Sequence, residues 1–126
     1  MGFHTTGAVG QRAEQVAFAY LVERRLRPLA RNFRCRGGEI DLIMLDGDCL
    51  TFIEVRYRAS TVFSHPSLTV DCHKQKKIVR TAALFITRNR NFSNHTMRFD
   101  VVAIDGVKNV TIDWIKDAFR PNDSSL

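Results

Sequence analysis

Between Cys72 and Phe99 the chain contains no aspartate or glutamate, while Lys74, Lys76, Lys77, Arg80, Arg88, Arg90 and Arg98 all carry positive charge there. A stretch of one sign suits a polyanionic partner, of which nucleic acid is the commonest, and otherwise a solvated basic face. Long hydrophobic runs are also missing. None approaches the roughly 20 apolar residues a membrane helix needs, and the first residues lack a basic segment followed by an apolar core. A cytoplasmic protein with no membrane contact is expected. Cysteine is scarce: Cys35, Cys49 and Cys72 stand 14 and 23 residues apart with no Cys-x-x-Cys pair, which fits neither a zinc knuckle nor a paired disulfide framework. There is no Gly-rich phosphate loop, no Ser/His/Asp motif in a strand-to-helix context, no repeat and no low-complexity segment.

What remains is ordinary for one folded domain. The 126 residues are 44% hydrophobic and 25% charged, with a formal charge of +6, enough for one real core and short of two comfortable ones. A single domain over 1–126 is expected, with residues 1–7 and 121–126 as flexible ends.

In chain order, Thr5 or Thr6 can cap a first helix reaching about Arg25, because Val9, Ala13, Val16, Ala17, Tyr20, Leu21 and Arg24 recur at helical spacing. Pro28 stops it. Glu14 falls at the border of that stripe. Residues 29–33 read as a short strand, followed by a basic turn, Arg34-Cys35-Arg36-Gly37-Gly38. The segment 59–70, centred on Ser64-His65-Pro66-Ser67, reads as a loop long enough to be functional. Asp71 is the expected cap of a second helix whose buried stripe is Ile78, Val79, Ala82, Phe85 and Ile86. That phase turns Lys74 and Gln75 inward and leaves Lys76, Lys77 and Arg80 outside. Runs 97–104 and 110–115 form a further strand pair, and 116–119 reads as a short closing helix. The order is helix, three strands, helix, two strands, helix: an α/β fold around one mixed five-stranded sheet flanked by helices.

The stretch 38–56 carries the chemistry. Two runs of Ile, Leu, Val and Phe flank an Asp-Gly turn signal, and each holds an acid, Asp41 or Glu54, where a strand would bury an apolar side chain. On the two strands of such a hairpin, an even loop of 46–49 sets Leu45 against Leu50 and Asp41 directly opposite Glu54. A two-residue loop at 46–47 moves Asp41's partner to Phe52 but keeps both acids on one face. An odd loop separates them. Opposed carboxylates, with Cβ atoms about 4.5 to 5.5 Å apart, repel unless a hard cation such as Mg²⁺ relieves them. The bland alternative is ion pairing with Arg36, Arg56 or Arg98. Asp100, within Arg98-Phe99-Asp100-Val101, reads as an ion-pair partner, Trp114 and Phe119 as core, and His4, His65, His73 and His95 as scattered surface or loop residues.

Asp41 followed after twelve residues by Glu54-Val55-Arg56 resembles the PD-(D/E)xK signature of restriction-endonuclease-like nucleases. More closely, Gly38-Glu39-Ile40-Asp41-Leu42-Ile43, Phe52-Ile53-Glu54-Val55-Arg56-Tyr57-Arg58, Lys74-Gln75, Arg98-Phe99-Asp100-Val101-Val102 and the run from Trp114 to Phe119 resemble the YraN family of bacterial proteins, itself similar to archaeal Holliday junction resolvases. The resemblance implies a restriction-endonuclease-like three-layer fold and a metal-dependent DNA endonuclease acting on branched DNA. Asp41 and Glu54 would hold Mg²⁺ or Mn²⁺, Glu14 would be the first-helix acid, and Arg56 would stand at the usual catalytic lysine. Arginine keeps its proton and can clamp phosphate but activates water poorly; Lys74 could take over, with Gln75 orienting water or phosphate. Arg36, Arg58, Lys76, Lys77 and Arg80 are the expected nucleic-acid contacts. A homodimer is also implied, since two strands must be cut. A nucleic-acid-binding module that kept the fold and lost turnover at Arg56 is the alternative from another class.

Overall fold

The only parallel strand pair among the described residues dictates the architecture, because parallel neighbours need a crossover between them. The computed structural model describes residues 7–58 and 70–121. Its elements are α1 (Ala8–Glu23), β1 (Arg27–Cys35), β2 (Gly38–Asp46), β3 (Cys49–Arg58), α2 (Cys72–Arg88), a 3-10 turn (Arg90–Phe92), β4 (Thr96–Asp105) and β5 (Thr111–Phe119). The five strands form one sheet in the order β1-β2-β3-β4-β5. β3 and β4 run parallel, joined through α2, and the other neighbours are antiparallel.

Alternation along the central strands sends adjacent residues to opposite faces, so each face has its own core. Leu42, Met44, Ile53, Val102 and Ile104 pack with Ala13, Ala17 and Leu21 of α1. Ile43, Leu45, Leu50 and Phe52 pack with Ile78, Val79, Ala82 and Phe85 of α2. Helix, sheet and helix make three layers, the arrangement expected of a restriction-endonuclease-like fold. Asp71 caps α2 as the sequence implies, its Oδ1 accepting the Lys74 N–H at 2.9 Å. No helix among the described residues is long and apolar enough to cross a membrane.

Several sequence expectations need correction. Residues 116–119 are not a helix but the end of β5. The ladder with β4 shifts between Phe99 and Val101, and Asp117 takes a positive φ of 57°. This bulge returns both Ile115 and Phe119 to the core, which mimics a helical apolar spacing. Pro28 does not end α1; the helix stops at Glu23, the chain turns through Arg25 at φ 73°, and Pro28 sits in edge strand β1, where a missing N–H is tolerated. Val9 is exposed rather than buried, whereas Glu14 is inside. The helix N-cap position falls on Gly7. Thr5, Thr6 and residues 59–69, with most of the expected loop and most of both expected flexible ends, lie outside the described residues.

Where β2 begins, Gly38 lets the strand touch α2. A Cβ there would meet Thr81 Oγ1 at 2.8 Å and the Lys77 backbone carbonyl at 3.4 Å. Thr81 cannot retreat, being fully buried with its hydroxyl on the Lys77 carbonyl. Gly38→Ala is therefore expected to cost about 1–3 kcal/mol by overpacking, read as a lower urea midpoint with an unchanged slope.

Candidate metal centre

The β2–β3 ladder runs from Asp46↔Cys49 to Leu42↔Ile53, with Leu45 opposite Leu50. Of the registers open in the sequence, this is the even one, closed by Gly47 and Asp48, and Asp41 and Glu54 come next in it. The ladder changes character there: the Val55 N–H donates to Asp41 Oδ2 at 2.8 Å. A carboxylate thus takes an N–H beyond the last backbone pair, which keeps a buried donor satisfied.

Four carboxyl groups converge on this point. Glu14 shares the buried side of α1 with Ala17 and Leu21, three and seven residues on, and the small Ala13 and Ala17 let that helix lie close to the sheet. Glu14 is 9% exposed, Asp41 3% and Glu54 7%. The fourth is Glu39, two residues before Asp41 on the same strand. One oxygen each of Glu14, Glu39 and Asp41 lies within 4.8 Å of the others. Burial, then the charge of Glu54, and further the charges of Glu14 and Glu39 push the Asp41 carboxyl well above the ordinary aspartate range, against the pull of the Val55 N–H.

Positive charge enters from α2. Lys74 Nζ lies 2.5 Å from Glu54 Oε2, and its place in the first helical turn is fixed by the Asp71 cap. A cleft of about 100 Å³, lined by Gly38, Glu39, Asp41, Glu54, Lys74, Lys77 and Ile78, opens between β2, β3 and α2. That is room for several waters.

The sequence-derived residues sort as follows. Glu14, Asp41, Glu54 and Lys74 come together. Arg56 is half-buried two residues beyond Glu54 on the same face of β3. Gln75 is half-buried too, but its Nε2 donates to the Val70 carbonyl at 2.6 Å and it does not line the cleft. Lys76, Lys77, Arg80 and Arg36 are exposed, with Lys77 at the cleft wall. Arg58 is half-buried and lies near Asp105. Glu39 was not anticipated: at a strand end beside Arg34 it reads as a solvated acid, and only its two-residue spacing from Asp41 signals a shared face.

Asp100 is paired as expected. Fully buried, it accepts from Arg98 Nε at 2.8 Å and Arg98 Nη2 at 3.0 Å, from Trp114 Nε1 at 3.0 Å and from the Asp117 N–H at 3.0 Å. Arg98 Nη2 also reaches Asp46 Oδ2 at 2.8 Å. His73 and His95 join no acid cluster among the described residues, and His4 and His65 lie outside them.

Residues 13–104, which include every carboxylate of the cleft, match the family model described as "Uncharacterised protein family UPF0102". The chain is 46% identical over 113 residues to a UPF0102 protein of Pseudomonas putida strain F1, covering 88% of this chain and 92% of that relative. It is 43% identical over 112 residues to one of Stutzerimonas stutzeri, covering 88% and 93%, and 46% identical over 114 residues to one of Saccharophagus degradans, covering 90% and 94%.

Proposed function

The chain belongs to the UPF0102 (YraN) family, and from the chemistry of its carboxylate cleft we propose that it is a metal-dependent endonuclease hydrolysing phosphodiester bonds in DNA, with branched DNA as its substrate class. The observation that carries this reading is Asp41, a buried acid crowded by Glu14, Glu39 and Glu54. Such crowding costs the fold stability, and a divalent cation among the carboxylates relieves it. The donor set is all carboxylate oxygen, which suits Mg²⁺ or Mn²⁺ rather than a soft metal. Asp41 and Glu54 would hold the ion, with Glu14 beside them. When bound, the ion lowers the pKa of its water and offsets charge on the scissile phosphate.

The chain's own residues supply the rest. Lys74, paired with Glu54 and partly exposed at the cleft, can exchange that carboxylate for a substrate phosphate or hold the attacking water. Arg56, as a fixed planar cation, clamps phosphate without moving a proton. Gln75 anchors the Val70 carbonyl and so positions the start of α2. Arg36, Arg58, Lys76, Lys77 and Arg80 supply charge for backbone phosphates. Cutting both strands of a junction calls for two copies of the site, hence a homodimer.

Glu54→Ala is expected to remain folded by circular dichroism and to lose Mn²⁺-dependent cleavage of duplex, flap and four-way DNA by about 10²-fold or more. Cleavage at the parental rate would refute the assignment. Arg56 favours a second reading, a DNA-binding module without turnover. In that case the parent binds DNA with steep salt dependence, yet Mn²⁺ stimulates no cleavage on any substrate of the panel.

A further inference from the structure

We infer that one edge of the sheet, strand β1 with the turn after it, is a track for the phosphate backbone of a duplex DNA arm leading away from the carboxylate cleft, with Arg27 and Arg31 as its far contacts. This rests on the DNA-binding part of the reading above and names residues that reading leaves unassigned.

Between Glu23 and Glu39 the chain holds Arg24, Arg25, Arg27, Arg31, Arg34 and Arg36, and no acid or lysine. All six arginines are exposed. Guanidinium is the cation best shaped for phosphate, because its planar fork grips two oxygens at once. The ladder with β2 does little to neutralise the row. Arg27 lies opposite Leu45 and Arg31 opposite Leu42, whereas Arg34 meets Glu39. That pair, Arg34 Nε to Glu39 Oε1 at 3.2 Å with 63% of the Arg34 side chain exposed, is weak and readily exchanged for a phosphate. Arg31 is set in place from α1: its Nη2 donates to Gln15 Oε1 at 3.2 Å, and its guanidinium carbon lies 4.4 Å from the centre of the Phe18 ring.

Protection of an edge strand does not account for the sign. Charge on an edge discourages pairing with another chain, and the opposite edge achieves this with mixed signs. There β5 carries Lys116 between Asp113 and Asp117, a net charge of −1, whereas β1, of the same nine-residue length, carries three arginines and no acid. A polyanion is attracted to one edge and not to the other.

Position ties the positive edge to the cleft. α2 lies along β1, with Cys35 Sγ 3.4 Å from Thr81 Oγ1 and the Phe33 and Phe85 ring centres 5.3 Å apart. Lys77 at the cleft wall, and Arg80 about one turn on, border the end of β1 that carries Arg34 and Arg36. Arg27 stands at the far end, about 25 Å away at about 3.3 Å per residue. Duplex DNA advances about 3.4 Å per base pair, so about seven or eight base pairs run the length of the strand.

The test is fluorescence anisotropy of the full chain with a duplex of about 20 base pairs, across a series of salt concentrations and in EDTA, where neither metal nor cleavage contributes. Arg27→Gln/Arg31→Gln is expected to weaken binding about 10-fold and to reduce the slope of log affinity against log salt by about two. Lys108→Gln/Lys116→Gln removes the same charge from the β4–β5 side and should stay within about twofold of the parent. Thermal melts verify folding; should Arg31→Gln loosen α1, Arg27→Gln alone still lowers the slope by about one. If the arginine variants bind like the parent, or the lysine variant loses as much, the track is overturned and the DNA reading stands. A parent that binds no duplex at low salt overturns both.

Discussion

Asp41→Asn is expected to melt at a higher temperature than the parent in EDTA, to gain nothing from Mn²⁺, and to cleave no DNA. The first effect follows from crowding. Asparagine can still accept the Val55 N–H through its Oδ1, so the hydrogen bond at the end of the β2–β3 ladder survives. The charge that Glu54, Glu14 and Glu39 oppose is gone. An acid whose pKa is raised by folding binds a proton in the folded state that the unfolded chain has already released, so it lowers stability as pH rises from the ordinary aspartate range toward the folded pKa. Removing it should therefore widen the gap between variant and parent from acidic to neutral pH. Every tenfold difference in proton affinity between the folded and unfolded chain is worth about 1.4 kcal/mol, or about 3 °C or more for a domain of this size. Mn²⁺ at 100 times its dissociation constant should stabilise the parent by about 2.7 kcal/mol and leave the variant unchanged. A variant that melts lower in EDTA, or that Mn²⁺ still protects, would sink the claim that Asp41 is a ligand held against its own repulsion.

Arg98→Met should be the most destabilising single change outside the cleft, costing about 3–5 kcal/mol. The guanidinium makes a two-pronged contact with Asp100 and a third bond to Asp46, and these carboxylates push its pKa further up. Without it Asp100, fully buried, keeps only the indole of Trp114 and the N–H of Asp117. Breaking one side of a buried pair strands a charge; replacing both sides does not. The double variant Arg98→Met/Asp100→Leu should therefore recover part of the loss, a strong non-additivity for neighbours. Urea unfolding of the three variants measures it, with the midpoint of Arg98→Met falling by about 2 M. A fall of less than about 0.5 M would mean that Trp114 and Asp117 alone satisfy Asp100.

Much of this site was legible in the sequence because a strand pair has a parity. Once Leu45 faces Leu50, Asp41 and Glu54 share a face, and the cap at Asp71 sets the phase that turns Lys74 inward. Glu14 was located only at the edge of a stripe, since the closeness of α1 to the sheet depends on how Ala13 and Ala17 pack. Glu39 is missed because its place is tertiary: nothing local distinguishes an acid that joins a buried cluster from a solvated one at a strand end. The end of β5 misled for a physical reason. Apolar residues at 114, 115, 118 and 119 fit a helix as well as a bulged strand, and the positive φ of Asp117 depends on a hydrogen bond to Asp100, seventeen positions away. Gln75 faces inward as its phase requires, yet its amide serves the loop before α2.

The tight turn at Gly47 and Asp48 has an evolutionary consequence. Because side chains on a strand alternate with a period of two, a lineage can lengthen this turn by a pair of residues and leave Asp41 beside Glu54. A single inserted residue would need a compensating bulge, or it would invert one strand and dissolve the centre in one generation.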